Sequence, residues 1–339
     1  MAISRFLTAL VFFFHVATAT ATASVFNVTT LAFDEGYSHL FGEGNLVRSP
    51  DGRTVRLLLN RYSGAGFISS DLYNHGFFSA SIKLPSDYTA GVVVAFYTSN
   101  GDIFPKTHDE LDFEFLGNIR GEKWRIQTNV YGNGSIGRGR EERYILPFDP
   151  TKEAHRYSIL WTATHIIFYV DHTPIREVVR SDAMGGEYPS KPMSVYATIW
   201  DGSTWATAGG AYKIKYKYAP FVAEFSDLVL RGCRVDPIQQ RPSTDHCTDA
   251  DAELMAADFA IMTPRKRAAM RRFRERYMIY SVCYDTLRYP NTLPDCTIVP
   301  SEQERFWESG STKFPPRRRR SRRQGRLPSA SDPTNQPDV

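Results

Sequence analysis

From Phe26 to about Arg231 the chain alternates between short apolar runs and turn residues. TVRLLLN, FFSASIKL, AGVVVAFY, ELDFEFL, WRIQTNVY, YSILWTATHIIFYVD, MSVYATIW and FVAEFSDLVLRG each read as strands, some apolar throughout and some alternating. Between them stand the breakers Pro50-Asp51-Gly52, Gly64-Ala65-Gly66, Gly101-Asp102, Gly132-Asn133-Gly134 and Gly185-Gly186. Many strands at this spacing, with few helical stretches, predict an all-β antiparallel sandwich. WTATHIIFYVDHTPIREV reads as a hairpin turning at Asp171-His172.

After Cys233 the period changes. DADAELMAADFA and TPRKRAAMRRFRERYMIYSVCYD read as helices, the second opened by a Thr263 cap and Pro264 at its first turn. This end part is too small to hold a robust core alone, so it is expected to pack on the sandwich. From Val299 onward Pro, Ser, Arg, Gly and Gln dominate. Residues 308–339 are read as a disordered tail, because such a composition buries too little apolar surface to order itself.

One strand stands out. In THDELDFEFLG, Glu110, Asp112 and Glu114 occupy alternate positions and share a face with His108, while Leu111, Phe113 and Phe115 face the other way. Asp109 falls on the apolar side at the strand's edge. Like charges in line repel, so three acids in five residues imply a use. Retaining glycosidases need a nucleophilic carboxylate and an acid/base carboxyl about 5–5.5 Å apart. Residues four apart on a strand have Cα atoms about 13 Å apart, so the two side chains must lean together. Asp112 between them can tune the nucleophile. Calcium would be the other use of clustered acids, but its ligands come from loops rich in Asn, Asp and Gly, and no metal site is expected.

Composition adds a compartment. MAISR, the apolar FLTALVFFFHVA and Ala21-Thr22-Ala23 form a secretory leader over residues 1–23. Its apolar run is short of the ~20 residues a membrane span needs, and no other stretch could cross a bilayer. Export makes Cys233, Cys247, Cys283 and Cys296 disulfide candidates. Three pairings are possible; Cys233-Cys247 with Cys283-Cys296 closes the shortest loops and is the expected one. Asn27 and Asn133 begin N-glycosylation sequons. Net charge is +4, yet Lys313 to Arg326 carries eight basic residues and no acid, leaving net −4 elsewhere. The leader argues against nuclear routing of that run, so no nucleic-acid partner is expected. Acidic pectin is the partner its charge suits. No association motif is present, so a monomer is expected.

HDELDFEFLG closely resembles the catalytic signature of plant xyloglucan endotransglucosylase/hydrolases, in glycoside hydrolase family sixteen. The likeness runs from about Phe26 to Cys296 and includes AFYTSN, RIQTNVYGNG, FYVDHTPIREV, YPSKPMSVYATIWDGSTWAT, YAPFVAEF and CYDTLRYP. It implies a concanavalin-like β-jelly roll over residues 24–232, with an extension over 233–298 holding two disulfides. It implies Glu110 as nucleophile, Glu114 as proton donor and base, and Asp112 in support. Gln127, Thr128 and Asn129 match a QTN segment lining the glucan cleft. Tyr97 matches a cleft aromatic, and Gly139, Arg140 and Glu141 a second contact strand. Trp200, Thr204, Trp205 and Gly209 match an acceptor-side loop, and Arg288 a late sugar-contacting arginine.

The implied activity is retaining cleavage of the xyloglucan β-1,4-glucan backbone and transfer of the chain end to another xyloglucan, in the cell wall or apoplast, without a cofactor. Net hydrolysis, or a silent sugar-binding module, are the rival readings. Departures from the family pattern are Leu111 for the commoner Ile, no sequon at Asn118-Ile119-Arg120, Thr204 before the second Trp, and the Arg-rich tail.

Overall fold

The computed structural model describes residues 26, 28–236 and 244–313. The expected leader, Asn27 and everything beyond Lys313 lie outside the described residues. The strands are β1 (Tyr37–Phe41), β2 (Leu46–Arg48), β3 (Thr54–Leu59), β4 (Ala65–Ser69), β5 (Leu72–Lys83), β6 (Val92–Ser99), β7 (Glu110–Leu116) and β8 (Arg125–Tyr131). They continue as β9 (Glu142–Ile145), β10 (His155–Trp161), β11 (His165–Val170), β12 (Thr173–Val179), β13 (Ser194–Asp201), β14 (Phe221–Val235), β15 (Met278–Asp285) and β16 (Ser309–Ser311). Helices α1 (Thr244–Ala256), α2 (Pro264–Tyr277) and α3 (Pro300–Gln303) belong to the C-terminal part.

Two sheets form a sandwich, as the strand pattern predicts. One runs β1-β4-β13-β6-β7-β8-β9-β15-β16, the other β12-β11-β10-β5-β14-β3-β2. The expected hairpin is present: β11 pairs antiparallel with β12, and Asp171 takes the left-handed conformation at the turn. The apolar side of β7 fills the gap between sheets. Phe113 meets Tyr157 and Phe168 edge-on, and Phe115 meets Tyr157. Leu111, Phe113 and Phe115 are fully buried. Each such side chain contributes roughly 1.5–3 kcal/mol by leaving water, so the rest of the core pins the register of β7. A slip of one residue would turn its acids into the core.

The C-terminal part packs on the sandwich and has no core of its own. Leu254, Phe259 and Ala260 cover Phe77, Leu160, Ile167 and Tyr169 on the outer side of the seven-stranded sheet. Phe273, Met278, Tyr284 and Phe306 join the main core. Both disulfides form in sequential order, with Cα separations of 5.1 Å for Cys233–Cys247 and 5.4 Å for Cys283–Cys296.

Two expectations need correction. The second helix starts as predicted, with Thr263 Oγ1 accepting from Lys266 N and Pro264 in the first turn. It ends at Tyr277, however, and MIYSVCYD is the strand β15. That stretch is rich in β-branched and aromatic residues, and β9 offers it an open edge to pair with. For residues 308–313 the expected disorder is also overturned, the rest of that tail lying outside the described residues. Ser309–Ser311 pairs with β15, Thr312 N donates to Ile279 O, and Phe306 stacks on Tyr284 at 4.8 Å. Gly310 makes this approach possible: its φ is +69°, and a Cβ there would stand 2.7 Å from Ser281 O.

A buried ionic cluster joins the C-terminal part to the sheet. Glu142, on β9, points inward and accepts from Arg274 Nη1 at 2.7 Å, Arg274 Nη2 at 2.9 Å and Ser281 Oγ at 3.1 Å. Tyr144 also donates to it, and Arg176 Nε lies 3.8 Å away. Arg274 Nε reaches on to Glu302 at 2.9 Å, which also accepts from Tyr284.

Candidate active site

Strand alternation puts Glu110, Asp112 and Glu114 on the open face of the nine-stranded sheet. Register fixes their neighbours. Asp112 lies opposite Tyr97 on β6 and Asn129 on β8. Glu114 lies opposite Ala95 and Gln127, and Glu110 opposite Ser99 and Tyr131. The open face thus brings Tyr97, Gln127 and Asn129 to the acids, as expected. Tyr97 stacks on Tyr196 with centroids 4.9 Å apart, and Tyr196 is anchored by its hydroxyl to Asp102.

The three carboxyls have different environments. Burial, followed by the charges of Glu110 and Glu114, pushes Asp112 well above the usual carboxylate range. Burial also raises Glu110, but hydrogen bonds from Ser99 and Asp112 and the nearby His108 hold it back. His108 Nε2 is 3.9 Å from Glu110 Oε2. Glu114 is pushed up to about 7, chiefly by burial, against a hydrogen bond from Gln127. Of the three, Asp112 is pushed up hardest and holds its proton beside Glu110, while Glu114 holds one up to about 7.

Gln127 Nε2 donates to Glu114 Oε2 at 2.5 Å, and its Oε1 accepts from Arg143 Nε at 2.6 Å. Arg143 fixes which end of the amide meets the carboxyl. Its guanidinium lies over the Tyr280 ring, 4.8 Å from the centroid. Sequence reasoning missed Arg143, Tyr131, Tyr196 and Tyr280. Alternation along REER could have found Arg143, because an inward Glu142 turns both Glu141 and Arg143 outward.

Other expected contacts are placed unevenly. Trp200 and Trp205 pack beside Val93, Leu116 and Ala206 at the Glu114 end of β7, with ring centroids 6.1 Å apart. Thr204 and Gly209 are exposed on the same loop. Arg288 lies on the other side of the acids and donates to Glu141 Oε2 at 2.6 Å. Gly139 is held close to that pair; a Cβ there would stand 2.4 Å from Glu141 Oε1.

Two assignments are corrected. Thr128 faces the core, opposite Phe113, and accepts from Arg176 at 3.1 Å. Its neighbours Gln127 and Asn129 face outward, so a strand cannot present all three. Arg140 has no exposed surface and is consumed by Glu187 and the Glu187 carbonyl. It braces the loop, and its backbone N–H donates to Asn129 Oδ1 at 2.8 Å. Asp109, placed by sequence at the strand's edge, is fully buried. It accepts from the backbone N–H groups of Asn133, Ser190 and Lys191 and from Lys191 Nζ, all at 2.7–2.9 Å. Asn133 itself is exposed in the turn.

A sandwich with a carboxylate ladder on its open face defines a glycoside hydrolase. A family model for glycosyl hydrolases family 16 matches residues 33–218, and one for the xyloglucan endo-transglycosylase (XET) C-terminus matches residues 245–296. The chain is 64% identical over 306 residues to probable xyloglucan endotransglucosylase/hydrolase protein 30 of Arabidopsis thaliana, covering 89% of each. It is 59% identical to probable protein 29 of the same series and plant, over 85% of this chain and 83% of that one. Among solved structures it is similar to a prokaryotic β-1,3-1,4-glucanase from a mouse hindgut metagenome. There the TM-score is 0.47 and the identity 23%, over 62% of this chain and 98% of that one. The chain belongs to the xyloglucan endotransglucosylase/hydrolase branch of glycosyl hydrolase family 16.

Proposed function

We propose that the protein cuts the β-1,4-glucan backbone of xyloglucan with retention and rejoins the new end to another xyloglucan chain in the plant cell wall. The observation that carries this reading is the placement of Glu110, Asp112 and Glu114 on one open strand face, with Tyr97, Gln127 and Asn129 opposite them. Glu110 is the anion, and its carboxylate attacks the anomeric carbon. The glycosidic C–O bond breaks, its electron pair goes to the leaving oxygen, and Glu114 supplies that oxygen's proton. Asp112 donates its hydrogen bond to Glu110 throughout, fixing the attacking oxygen and stabilising its departure later. An ester-linked glycosyl-enzyme results. Glu114, now a carboxylate, takes the proton of an acceptor hydroxyl. The acceptor oxygen bonds to the anomeric carbon, and the ester pair returns to Glu110.

Water and sugar compete for that last step. An acceptor held by Arg288 has a high effective concentration and wins, while Trp200 and Trp205 grip the chain on the other side of the acids. Incubation with xyloglucan and excess labelled xyloglucan oligosaccharide tests this. Label is expected to enter polymer; accumulation of reducing ends without incorporation would overturn transfer in favour of hydrolysis.

Residues 24–232 form the catalytic unit in this reading, and 233–298 the extension that adds β15 to its sheet. The protein works as a secreted monomer, and the basic run beginning at Lys313 holds it to acidic pectin by opposite charge. Truncation after Lys313 tests this: retention on pectin should lose its salt-sensitive part, and unchanged retention refutes it. Cutting nearer than Lys313 would remove β16 and confuse the result.

A further inference from the structure

The face that carries the acids extends well beyond β9. Register partners form one row across it: Glu114 opposite Gln127, Gln127 opposite Arg143, Arg143 opposite Tyr280, and Tyr280 opposite Ser311. The chain folds back once more, with Phe306 bridging Thr312 and Trp307 N donating to Ser311 O at 2.8 Å. Residues facing each other across an antiparallel pair point to the same side. Phe306 is buried against Tyr284, on the core side. Trp307 therefore points to the side of Ser311, Tyr280, Arg143 and Glu114.

Trp307 is 58% exposed, and its neighbour across the backbone, Leu287, is 70% exposed. Leu287 N donates to Glu308 O, so the two apolar groups flank one short segment. The Lys313 ammonium lies 5.4 Å from the indole centroid. At about 4.8 Å between strands, five steps along the row put Trp307 about 24 Å from Glu114. The matches to known families stop at residue 296, so this segment lies past the part they describe.

We propose that Trp307 is an outlying sugar platform, stacking on one pyranose ring of a glucan chain several units from the bond that is cut. The C–H groups on a pyranose face are apolar and match a flat indole. A chain crossing the strands from Glu114 along the row reaches Trp307 without leaving the sheet. Leu287 widens the platform, and the site takes neutral sugar. The inference rests on the reading of the open face as a glucan cleft.

The test compares the wild type with Trp307→Ala and Trp307→Phe, using xyloglucan polymer and a short oligosaccharide as alternative acceptors. In Trp307→Ala the ratio of polymer KM to oligosaccharide KM should rise about tenfold, the equivalent of ~1.4 kcal/mol. Trp307→Phe should restore most of it. An unchanged ratio in Trp307→Ala, or an equal rise in Trp307→Phe, overturns the proposal. A second readout needs no turnover: Glu110→Gln and Glu110→Gln/Trp307→Ala proteins are compared for retardation in gels containing xyloglucan. Weaker retardation of the double variant supports the platform, and equal retardation overturns it. If the wild type fails to act on xyloglucan while the double variant still binds less well, the catalytic reading fails and the platform stands.

Discussion

Arg274→Met should detach much of what holds the C-terminal part to the sheet. Arg274 forks between Glu142 and Glu302 with four donor contacts and makes a fifth to the Tyr144 hydroxyl, and the three charged side chains are at most 15% exposed. Burial alone would raise the Glu142 carboxyl, yet Arg274 and Arg176 more than offset it and hold it at about 2 against an ordinary 4.5. That difference favours the charged, paired form by on the order of 3 kcal/mol. Removing one partner from a buried pair costs about 3–5 kcal/mol by a separate route. Arg176 remains 3.8 Å from Glu142, so a loss near 3 kcal/mol at pH 7 is expected, roughly a quarter of the stability of a large domain. The sign with pH follows. Glu142 is depressed in the folded state, so its contribution is full above about 4.5 and is lost as pH falls toward about 2. Urea denaturation of wild type and variant at pH 7 and pH 3.5 measures this. The difference between them should shrink at the lower pH. A loss under ~1 kcal/mol at pH 7, or one that does not change with pH, would refute the reasoning.

Three further outcomes follow from the site. Since Glu114 must carry a proton and sits at about 7, kcat/KM should fall above that pH; Gln127→Met, which removes a bond holding the proton affinity down, should move this limb upward. A limb that stays or moves down refutes the assignment. Asp112→Asn keeps a hydrogen-bond donor beside Glu110 and should retain much more kcat than Asp112→Leu, which should lose about 100-fold or more; equal losses would mean that the proton on Asp112 is not what matters. Asp109→Ala should destabilise the protein by about 2–4 kcal/mol, because three backbone N–H groups and Lys191 lose their acceptor. Denaturant midpoints check it, and a change under ~1 kcal/mol would be wrong for a fully buried carboxylate.

Local pattern announced β7 and its acids because alternation needs only neighbours along the chain. The same logic gave the Thr263 cap and the Asp171 turn. What alternation could not supply was the partner. Met278–Asp285 follows an Arg-rich helix without a break, and only the free edge of β9 makes it a strand. Thr128 was grouped with Gln127 and Asn129 by similarity of the segment, although its own strand parity turns it inward. Arg140 looked available because it sits in a polar loop, and only the fold brings Glu187, 47 residues on, to enclose it. Residues 308–313 looked too polar to order, but Phe306 and Gly310 let them ride on β15. Arg143 escaped notice because its role depends on Gln127 lying between it and Glu114.

The pairing of β15 and β16 onto β9 also answers a problem of self-association. A sandwich that ended at β9 would present a row of free N–H and C=O groups to any extended chain, including other copies of itself. Among the described residues that end of the sheet is a strand three residues long, kinked at a glycine, with a lysine two residues on and Trp307 folded back beside it. A short, bent, charged margin is a poor template for a second strand. Shortening the chain before β15 should therefore produce aggregates before it produces an inactive monomer.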